Sequence, residues 1–199
     1  IRNAERLREI SMDALVGLAD SGTKFIHNKA LRYKSPSIDI KVISNSSRSL
    51  DSEGTTIRGS FPYNMVVEPY PELAIAVTIV GREISESNLT LADVFQKIRE
   101  ADLTPLGMSM NHNSLILYLP SNVPENLIES LHSIVVKDER AIAMALRKDL
   151  AFVRVKGVGL EETPGVISSI AKALNSADIN IYGIFTITSS ILLFVDLKD

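Results

Sequence analysis

The chain contains no cysteine and no tryptophan, and aromatic residues make up only 6% of its 199 residues. Without cysteine, disulfide bonds, thiolate metal sites and a cysteine nucleophile are excluded, and a reducing cytoplasmic location is expected. The sequence has no apolar run near the ~20 residues of a membrane span, and no signal-peptide core follows its first residues. We therefore expect neither a membrane partner nor secretion.

Charge of one sign is also scarce. The net charge is -3, the pI is near 5.7, and like charges form no run, so the electrostatic footprint of a nucleic-acid-binding protein is missing. The histidines His27, His112 and His132 are scattered, and none is spaced from another by three or four residues. We therefore predict neither a metal site nor a His-centred catalytic triad in this sequence.

An internal repeat is the most informative feature that is present. The stretch from Phe152 to Asp196 repeats the stretch from Ala76 to Pro120 without a gap, at a constant offset of 76 residues. The similarity is clearest where Ser114-Leu115-Ile116-Leu117-Tyr118-Leu119 aligns with Ser190-Ile191-Leu192-Leu193-Phe194-Val195. Self-similarity at one fixed spacing indicates a duplicated module.

Each copy has the pattern of a βαββα unit. In the first copy the pattern predicts strands at 74–80, 104–110 and 115–119, with helices at 90–100 and 124–133. In the second it predicts strands at 152–155, 179–186 and 191–195 and one helix at 164–176, and the second helix is missing. This order predicts an α+β fold with two ferredoxin-like βαββαβ modules and antiparallel sheets.

The residues before the repeat form a different region. Ser11 is a plausible N-cap for one long helix running to Tyr33, and strands are predicted at 38–43 and 55–58. Pro62, Pro69 and Pro71 indicate a connector. We place the domains at 1–68, 69–145 and 146–199, with an exchange of strands between the last two as one way to complete the second copy.

A glycine-rich loop opens the helix of the second copy: Gly157-Val158-Gly159-Leu160-Glu161-Glu162-Thr163-Pro164-Gly165. Thr163 is the expected N-cap and Pro164 the expected first helical residue. Such a loop leaves backbone N–H groups at the positive end of the helix dipole, where a carboxylate can dock. A well-formed helix start without a ligand is the alternative.

The segments Thr163-Pro164-Gly165-Val166, Ala177-Asp178-Ile179-Asn180-Ile181 and Ser189-Ser190-Ile191 resemble an ACT domain, specifically the second of the paired ACT domains of aspartate kinases. The first copy resembles the first of that pair. Upstream, Ser21-Gly22-Thr23-Lys24-Phe25-Ile26-His27 and Glu53-Gly54-Thr55-Thr56-Ile57 resemble the end of the α/β kinase domain. The resemblance covers nearly the whole chain.

This resemblance implies a regulatory portion of an enzyme that phosphorylates the β-carboxylate of aspartate with ATP and Mg, in amino-acid biosynthesis. It also implies a homodimer formed through the ACT domains. The family's Lys-Phe-Gly-Gly, Gly-Gly-Ser-Asp and Thr-Asp-Pro-Arg segments do not occur in this sequence, so we expect no kinase activity and no bound cofactor here. Only Lys24 matches a residue of the family's ATP site, a lysine that contacts phosphate.

The resemblance also implies two candidate effector sites for an amino acid. The site of the first copy comprises Ile84, Ser87, Thr90, Leu91, Pro105, Leu106 and Asn111. The site of the second copy comprises Leu160, Thr163, Pro164, Gly165, Val166, Asn180 and Ile181. Leu106 stands where lysine-inhibited members carry an Asp, which removes the partner of a lysine ammonium and leaves threonine or another amino acid as effector.

The leading interpretation is that the chain is part of a longer kinase, as its lack of an initiator Met and its missing final helix suggest. Two alternatives stay open from the sequence. The first is a stand-alone amino-acid-binding module, and the second is a structural dimerisation unit whose first loop binds nothing.

Overall fold

A computed structural model describes residues 4–20, 26, 30–31, 33–47, 49–62, 64–160, 163–187 and 189–197. These residues divide into two compact units. The first comprises residues 1–68, 154–172 and 185–192, and the second comprises residues 69–153, 173–184 and 193–199. None of the helices in the described ranges is long and apolar enough to cross a membrane.

The upstream part of the first unit is a small α/β arrangement. It contains β1 (Glu9–Ser11), α1 (Met12–Asp20), β2 (Ile40–Ile43) and β3 (Gly54–Arg58). The strand order is β1-β3-β2, with β1 parallel and β2 antiparallel to β3. Apolar residues of α1 and β3 form its core, together with Leu31.

The prediction of a capping role for Ser11 is confirmed, because its Oγ accepts a hydrogen bond from the Ala14 N–H at 3.2 Å. The prediction of one unbroken helix to Tyr33 is wrong. Ile26 lies in a bend and Tyr33 in a turn.

The second unit contains a complete βαββαβ module. Its elements are β5 (Ala74–Gly81), a 3-10 turn (Ile84–Glu86), α2 (Asn88–Glu100), β6 (Gly107–Asn111), β7 (Ser114–Pro120), α3 (Glu125–Lys137) and β8 (Ala141–Lys156). The sheet order β6-β7-β5-β8 is antiparallel throughout. This is the predicted ferredoxin-like arrangement.

The helices of this module cover one face of its sheet. Alternate residues of β5 and β7 pair across the strands, such as Val77 with Leu117. They pack against residues of α2 and α3 that recur at a spacing of four, including Leu127 and Leu131. The period of two in the strands and near four in the helices therefore builds a single apolar core.

The second copy comprises the end of β8, α4 (Val166–Ser176), β9 (Ile181–Ile187) and β10 (Ser190–Asp196). Beyond β5, the sheet continues in the order β8-β10-β9, and β4 (Val66–Pro69) also pairs with β8. In the first copy, β8 lies beside β5, which is the first strand of that copy. In the second copy the first strand is the end of β8, and β4 lies beside it. A strand from before the repeat therefore takes the place that β8 has in the first copy.

Hydrogen bonds at equivalent positions confirm the repeat. The Gly81 N–H donates to the Asn113 carbonyl at 2.9 Å, and 76 residues later the Gly157 N–H donates to the Ser189 carbonyl at 3.1 Å. Leu103 bonds back to the Ile98 carbonyl at 3.2 Å. The two copies therefore share backbone geometry as well as residue types.

The helices of the two copies also end in the same way. Asp102 and Asp178 have φ of 53° and 56°, the left-handed conformation that closes a helix C-terminus. In the second copy the Ile179 N–H reaches back to the Leu174 carbonyl at 2.9 Å, as Leu103 does in the first. Aspartate tolerates this backbone conformation better than most residues with a Cβ.

Two elements differ from their predictions. No strand was predicted between Ser133 and Phe152, yet β8 begins at Ala141. Residues 66–69 were predicted as part of a connector, yet they form β4. Pro69 is tolerated there because it is the last residue of the strand. The predicted boundary between residues 145 and 146 falls inside β8, and the domain limits stay a prediction.

Candidate functional site

A cleft of about 590 Å3 lies in the first unit, beside the start of α4. Its walls are formed by the preceding loop, the first turn of α4, and the strands β9 and β10. Four aliphatic side chains, three hydroxyl side chains and one glycine line it: Leu160, Val166, Ile167, Ile191, Thr163, Ser168, Thr186 and Gly165. Its lining therefore mixes aliphatic and hydroxyl side chains.

The loop before α4 is fixed by its own hydrogen bonds. The Leu160 N–H donates to the Gly157 carbonyl at 3.2 Å, and the Thr163 N–H donates to the Leu160 carbonyl at 3.2 Å. The Thr163 Oγ1 donates to the Gly159 carbonyl at 2.9 Å. Gly159 has a φ of 73°, which a residue with a Cβ adopts only at a cost. The described residues of the loop, 157–160 and Thr163, are thus joined to one another by hydrogen bonds.

The predicted start of this helix is wrong by two residues. Gly165 has a φ of 85°, so α4 begins at Val166, and Pro164 precedes the helix instead of opening it. Thr163 is not the N-cap, because its hydroxyl is bonded to Gly159. The Gly165 carbonyl accepts the first helical hydrogen bond, from the Ser169 N–H at 2.9 Å, so Gly165 is the cap.

The cleft lies at the positive end of the α4 dipole. In an α-helix the first N–H groups have no partner within the helix, and here they belong to Val166, Ile167 and Ser168, which line the cleft. These groups and the dipole favour an anion such as a carboxylate. No ionisable side chain occurs among the described lining residues, while Glu161 and Glu162 lie outside the described part of the chain.

The structure brings together only part of the predicted second-copy site. Leu160, Thr163, Gly165 and Val166 line the cleft. Pro164 is exposed within the loop. The remaining two, Asn180 and Ile181, belong to the other compact unit, where Ile181 begins β9.

Sequence reasoning missed four lining residues: Ile167, Ser168, Thr186 and Ile191. The first two follow directly from the position of the helix start. Thr186 and Ile191 flank the turn between β9 and β10 and are distant in sequence from the loop, so only the folded sheet brings them to it.

The predicted first-copy residues mostly have structural partners. Ile84 is fully buried in the core of the module, and Leu91 packs against that core. The Ser87 Oγ donates to Asp138 Oδ2 at 2.7 Å. Thr90 lies in the first turn of α2, and its side chain is outside the described part.

The other first-copy residues lie around β6. Pro105 and Leu106 are half-buried, and the Leu106 N–H donates to the Tyr118 carbonyl at 2.8 Å. The Asn111 Oδ1 accepts hydrogen bonds from the Asn113 N–H and the Ser114 Oγ, both at 2.9 Å. Asn111 therefore stabilises the hairpin turn between β6 and β7.

Asp138 connects two parts of the first copy through its carboxylate. Burial opposes its ionisation, but the Ser87 hydroxyl and the N–H groups of Arg140 and Ala141 donate to its carboxylate. These hydrogen bonds outweigh burial, so the pKa of Asp138 lies below its usual value. Asp138 thereby joins the end of α3 to the loop before α2.

Lys24, the predicted phosphate contact, lies outside the described residues. Among the described residues, no group of three or more Asp, Glu or His side chains is placed to hold a metal ion.

The chain was compared with known proteins. No family model matches it. It is 26% identical over 219 aligned residues to an aspartokinase of Mycolicibacterium smegmatis. The alignment covers 100% of this chain and 49% of that protein, so the chain spans about half the length of its curated relative.

Solved structures show the same fold. An aspartate kinase from Synechocystis matches 98% of this chain with 37% of its own length, at a TM-score of 0.71 and 19% identity. The regulatory subunit of aspartate kinase from Thermus flavus matches 69% of this chain with 90% of its own, at 0.55 and 19%. Aspartokinase III of E. coli, solved with lysine and aspartate, matches 98% with 44%, at 0.53 and 19%.

These comparisons confirm the resemblance to the C-terminal portion of aspartate kinases. The ferredoxin-like modules with antiparallel sheets are those of aspartate kinase regulatory domains.

Proposed function

We propose that this chain is the regulatory portion of an aspartate kinase and binds an end-product amino acid in the cleft beside α4. The observation that carries the proposal is the meeting of a helix N-terminus with an aliphatic and hydroxyl-lined cleft. The confirmed resemblance supports it, because the proteins of similar fold are aspartate kinases and their regulatory subunits.

The cleft suits both ends of an amino acid. The first N–H groups of α4 are placed to donate hydrogen bonds to an α-carboxylate, as helix N-termini do. The hydroxyls of Thr163, Ser168 and Thr186 offer acceptors to an α-ammonium group. A small aliphatic side chain would then lie against the aliphatic residues of the lining.

The lining favours an aliphatic or hydroxyl amino acid over lysine. Among the described lining residues none carries a carboxylate that would pair with a side-chain ammonium. Threonine and isoleucine are therefore the first ligands to test.

The test is a thermal-shift and calorimetric titration against lysine, threonine, methionine, isoleucine and S-adenosylmethionine. A ligand at 100 times its Kd adds about 2.7 kcal/mol to the free energy of unfolding, which is readily measured. Binding of one amino acid would support the proposal, and silence for all five would contradict it.

A pair of variants tests the location of the ligand. Ile167 is 48% exposed, lines the cleft and lies in the first helical turn. Ile167→Glu places a negative charge where the ligand carboxylate is expected, and a carboxylate there also suits the helix. We expect at least tenfold weaker binding for Ile167→Glu than for Ile167→Gln, the uncharged control of the same size. Equal affinities would place the ligand elsewhere.

We also propose that the chain dimerises through its modules. The resemblance supports this, and so does β6, which lies at the edge of its sheet with Met108 and Met110 each 45% exposed. Edge strands with apolar side chains are ready templates for pairing. Sedimentation equilibrium should give a dimer for the native chain and a monomer for Met108→Lys.

For the whole protein we propose phosphoryl transfer from ATP to aspartate with Mg, regulated by this portion. The residues of those sites, apart from Lys24, are not in this sequence. The control of the kinase would require that the effector bind one arrangement of the protein better than another.

A structural role is the second candidate, and one observation favours it for the first copy alone. Its predicted effector residues Ile84, Leu91, Ser87 and Asn111 are engaged in the core, with Asp138, or in the hairpin turn. We therefore assign ligand binding to the second copy and a structural role to the first.

A further inference from the structure

The segment that leads from β3 to β4 contacts the loop that forms the cleft. This linker comprises residues 61, 62 and 64–68, and both it and the loop belong to the first unit. The Val158 N–H donates to the Pro62 carbonyl at 3.1 Å. A Cβ on Gly157 would lie 3.2 Å from Met65 Cα, so the two backbones are in close contact.

Charged groups anchor the same linker at its end. Glu68 Oε2 accepts hydrogen bonds from Arg154 Nη2 at 2.7 Å and Arg154 Nε at 3.1 Å, and Glu68 Oε1 lies 2.9 Å from Lys156 Nζ. Lys156 Nζ also lies 6.0 Å from the centre of the Phe61 ring, the range of a cation–π contact. One carboxylate therefore holds two cations of β8, and one of these cations contacts the start of the linker.

Part of this cluster is shielded from solvent. Only 19% of the Lys156 side chain and 35% of the Glu68 side chain are exposed. Arg154, whose side chain is 47% exposed, donates from both nitrogen atoms to the same carboxylate oxygen, Oε2. Glu68 of β4 is thus joined to both Arg154 and Lys156 of β8.

A short series of bonds continues from the linker to the cleft. Val158, which binds the Pro62 carbonyl, lies between Gly157 and Gly159. The Gly157 carbonyl accepts from Leu160, and the Gly159 carbonyl accepts from Thr163. Leu160 and Thr163 both line the cleft. A ligand that shifts either residue must move the turn that holds Pro62, or strain it.

We propose that this linker couples the cleft to the part of the chain that precedes the linker. Glu68 is the residue that joins the linker to β8, through its ion pairs with Arg154 and Lys156. The inference rests on the proposed function, because the signal it transmits is the binding of an amino acid. Its consequence is that binding of a ligand in the cleft and the contacts of the linker with β8 and the loop stabilise each other. By linkage, each must change the other by the same factor.

The test measures both directions on the native chain, Glu68→Gln and Glu100→Gln. Glu68→Gln removes the charge that holds Arg154 and Lys156 and keeps the size of the side chain. Glu100→Gln is the matched control, because Glu100 also accepts from a lysine and a second donor, Lys97 and Gln96, and it lies in the other unit.

The first measurement uses no ligand. Amide hydrogen exchange of residues 157–160 should be faster in Glu68→Gln than in the native chain, and unchanged in Glu100→Gln. Unchanged exchange in both variants would overturn the coupling, whatever the cleft binds.

The second measurement uses the five compounds of the titration panel. The compound that binds should slow amide exchange of residues 61–68 in the native chain, and Glu68→Gln should raise its Kd about fivefold or more, with the Kd of Glu100→Gln unaltered. Binding with an unchanged linker and an unchanged Kd would overturn the inference and leave the proposed function intact. Failure of all five compounds to bind would overturn both.

Discussion

Gly81 and Gly157 occupy equivalent positions in the two copies, and the structure predicts that alanine costs more stability at Gly81 than at Gly157. Both donate their N–H across the sheet to the residue before β7 or β10. A Cβ on Gly81 would lie 2.1 Å from the Arg140 carbonyl oxygen and 2.7 Å from Ile84 Cδ1. A Cβ on Gly157 would come no closer than 3.2 Å to Met65 Cα.

The magnitudes follow from what must move. Overpacking of a core lowers the free energy of unfolding by about 1–3 kcal/mol. We expect Gly81→Ala at the upper end of this range, because the added Cβ would clash with the backbone carbonyl of Arg140 and not with a flexible side chain. The Arg140 carbonyl also accepts from the Arg82 N–H at 2.8 Å, so its displacement breaks a second bond. The unfolded-state gain from Gly→Ala, about 0.4–1 kcal/mol, is the same at both positions and cancels in the difference.

We therefore expect Gly81→Ala to lower the free energy of unfolding by about 2–3 kcal/mol, and Gly157→Ala by about 1 kcal/mol at most. For a chain of this size that corresponds to a fall in Tm of roughly 5–10 °C for the first variant. Differential scanning calorimetry measures both. Equal losses, or a larger loss for Gly157→Ala, would show that these contacts do not govern the choice of glycine.

Two further pairs of residues give predictions of defined sign. Glu83 has a φ of 54° where the second copy has Gly159 at 73°, so Glu83→Gly should raise the free energy of unfolding by up to about 1 kcal/mol and Gly159→Ala should lower it, as read from urea midpoints. Ser87→Ala should cost about 1.5 kcal/mol, because it removes a hydrogen bond to the charged Asp138. The lowered pKa of Asp138 stabilises the fold above its unfolded pKa, and that stability is lost as the pH falls through the folded value. Acid unfolding of Ser87→Ala should therefore show a weaker pH dependence, and an unaltered profile would contradict the role given to Ser87.

Local patterns were sufficient where an element carries its own periodicity. The hairpin strand β7 and the helix end at Glu100 were predicted within one or two residues, as were their equivalents in the second copy. Alternating apolar residues and turn residues such as Asn111 specify these elements without help from distant parts of the chain.

Elements decided by pairing with distant strands were not predictable. The start of β8 is rich in Ala, Met, Leu, Arg and Lys, which favour helix in isolation. It is a strand because it pairs with β5, from Ala141 opposite Gly81 to Leu150 opposite Ala74. The cleft likewise needed the fold, since Thr186 and Ile191 reach the loop only through the sheet.

The continuity of β8 has a practical consequence for any attempt to divide the protein. Its 16 residues pass from the last strand of the first copy to the first strand of the second without an intervening loop. There is consequently no loop between the two copies at which the chain could be divided without cutting a strand. Cutting anywhere in the strand would expose an unpaired edge on both products, so each half expressed alone should aggregate unless its partner strand is supplied.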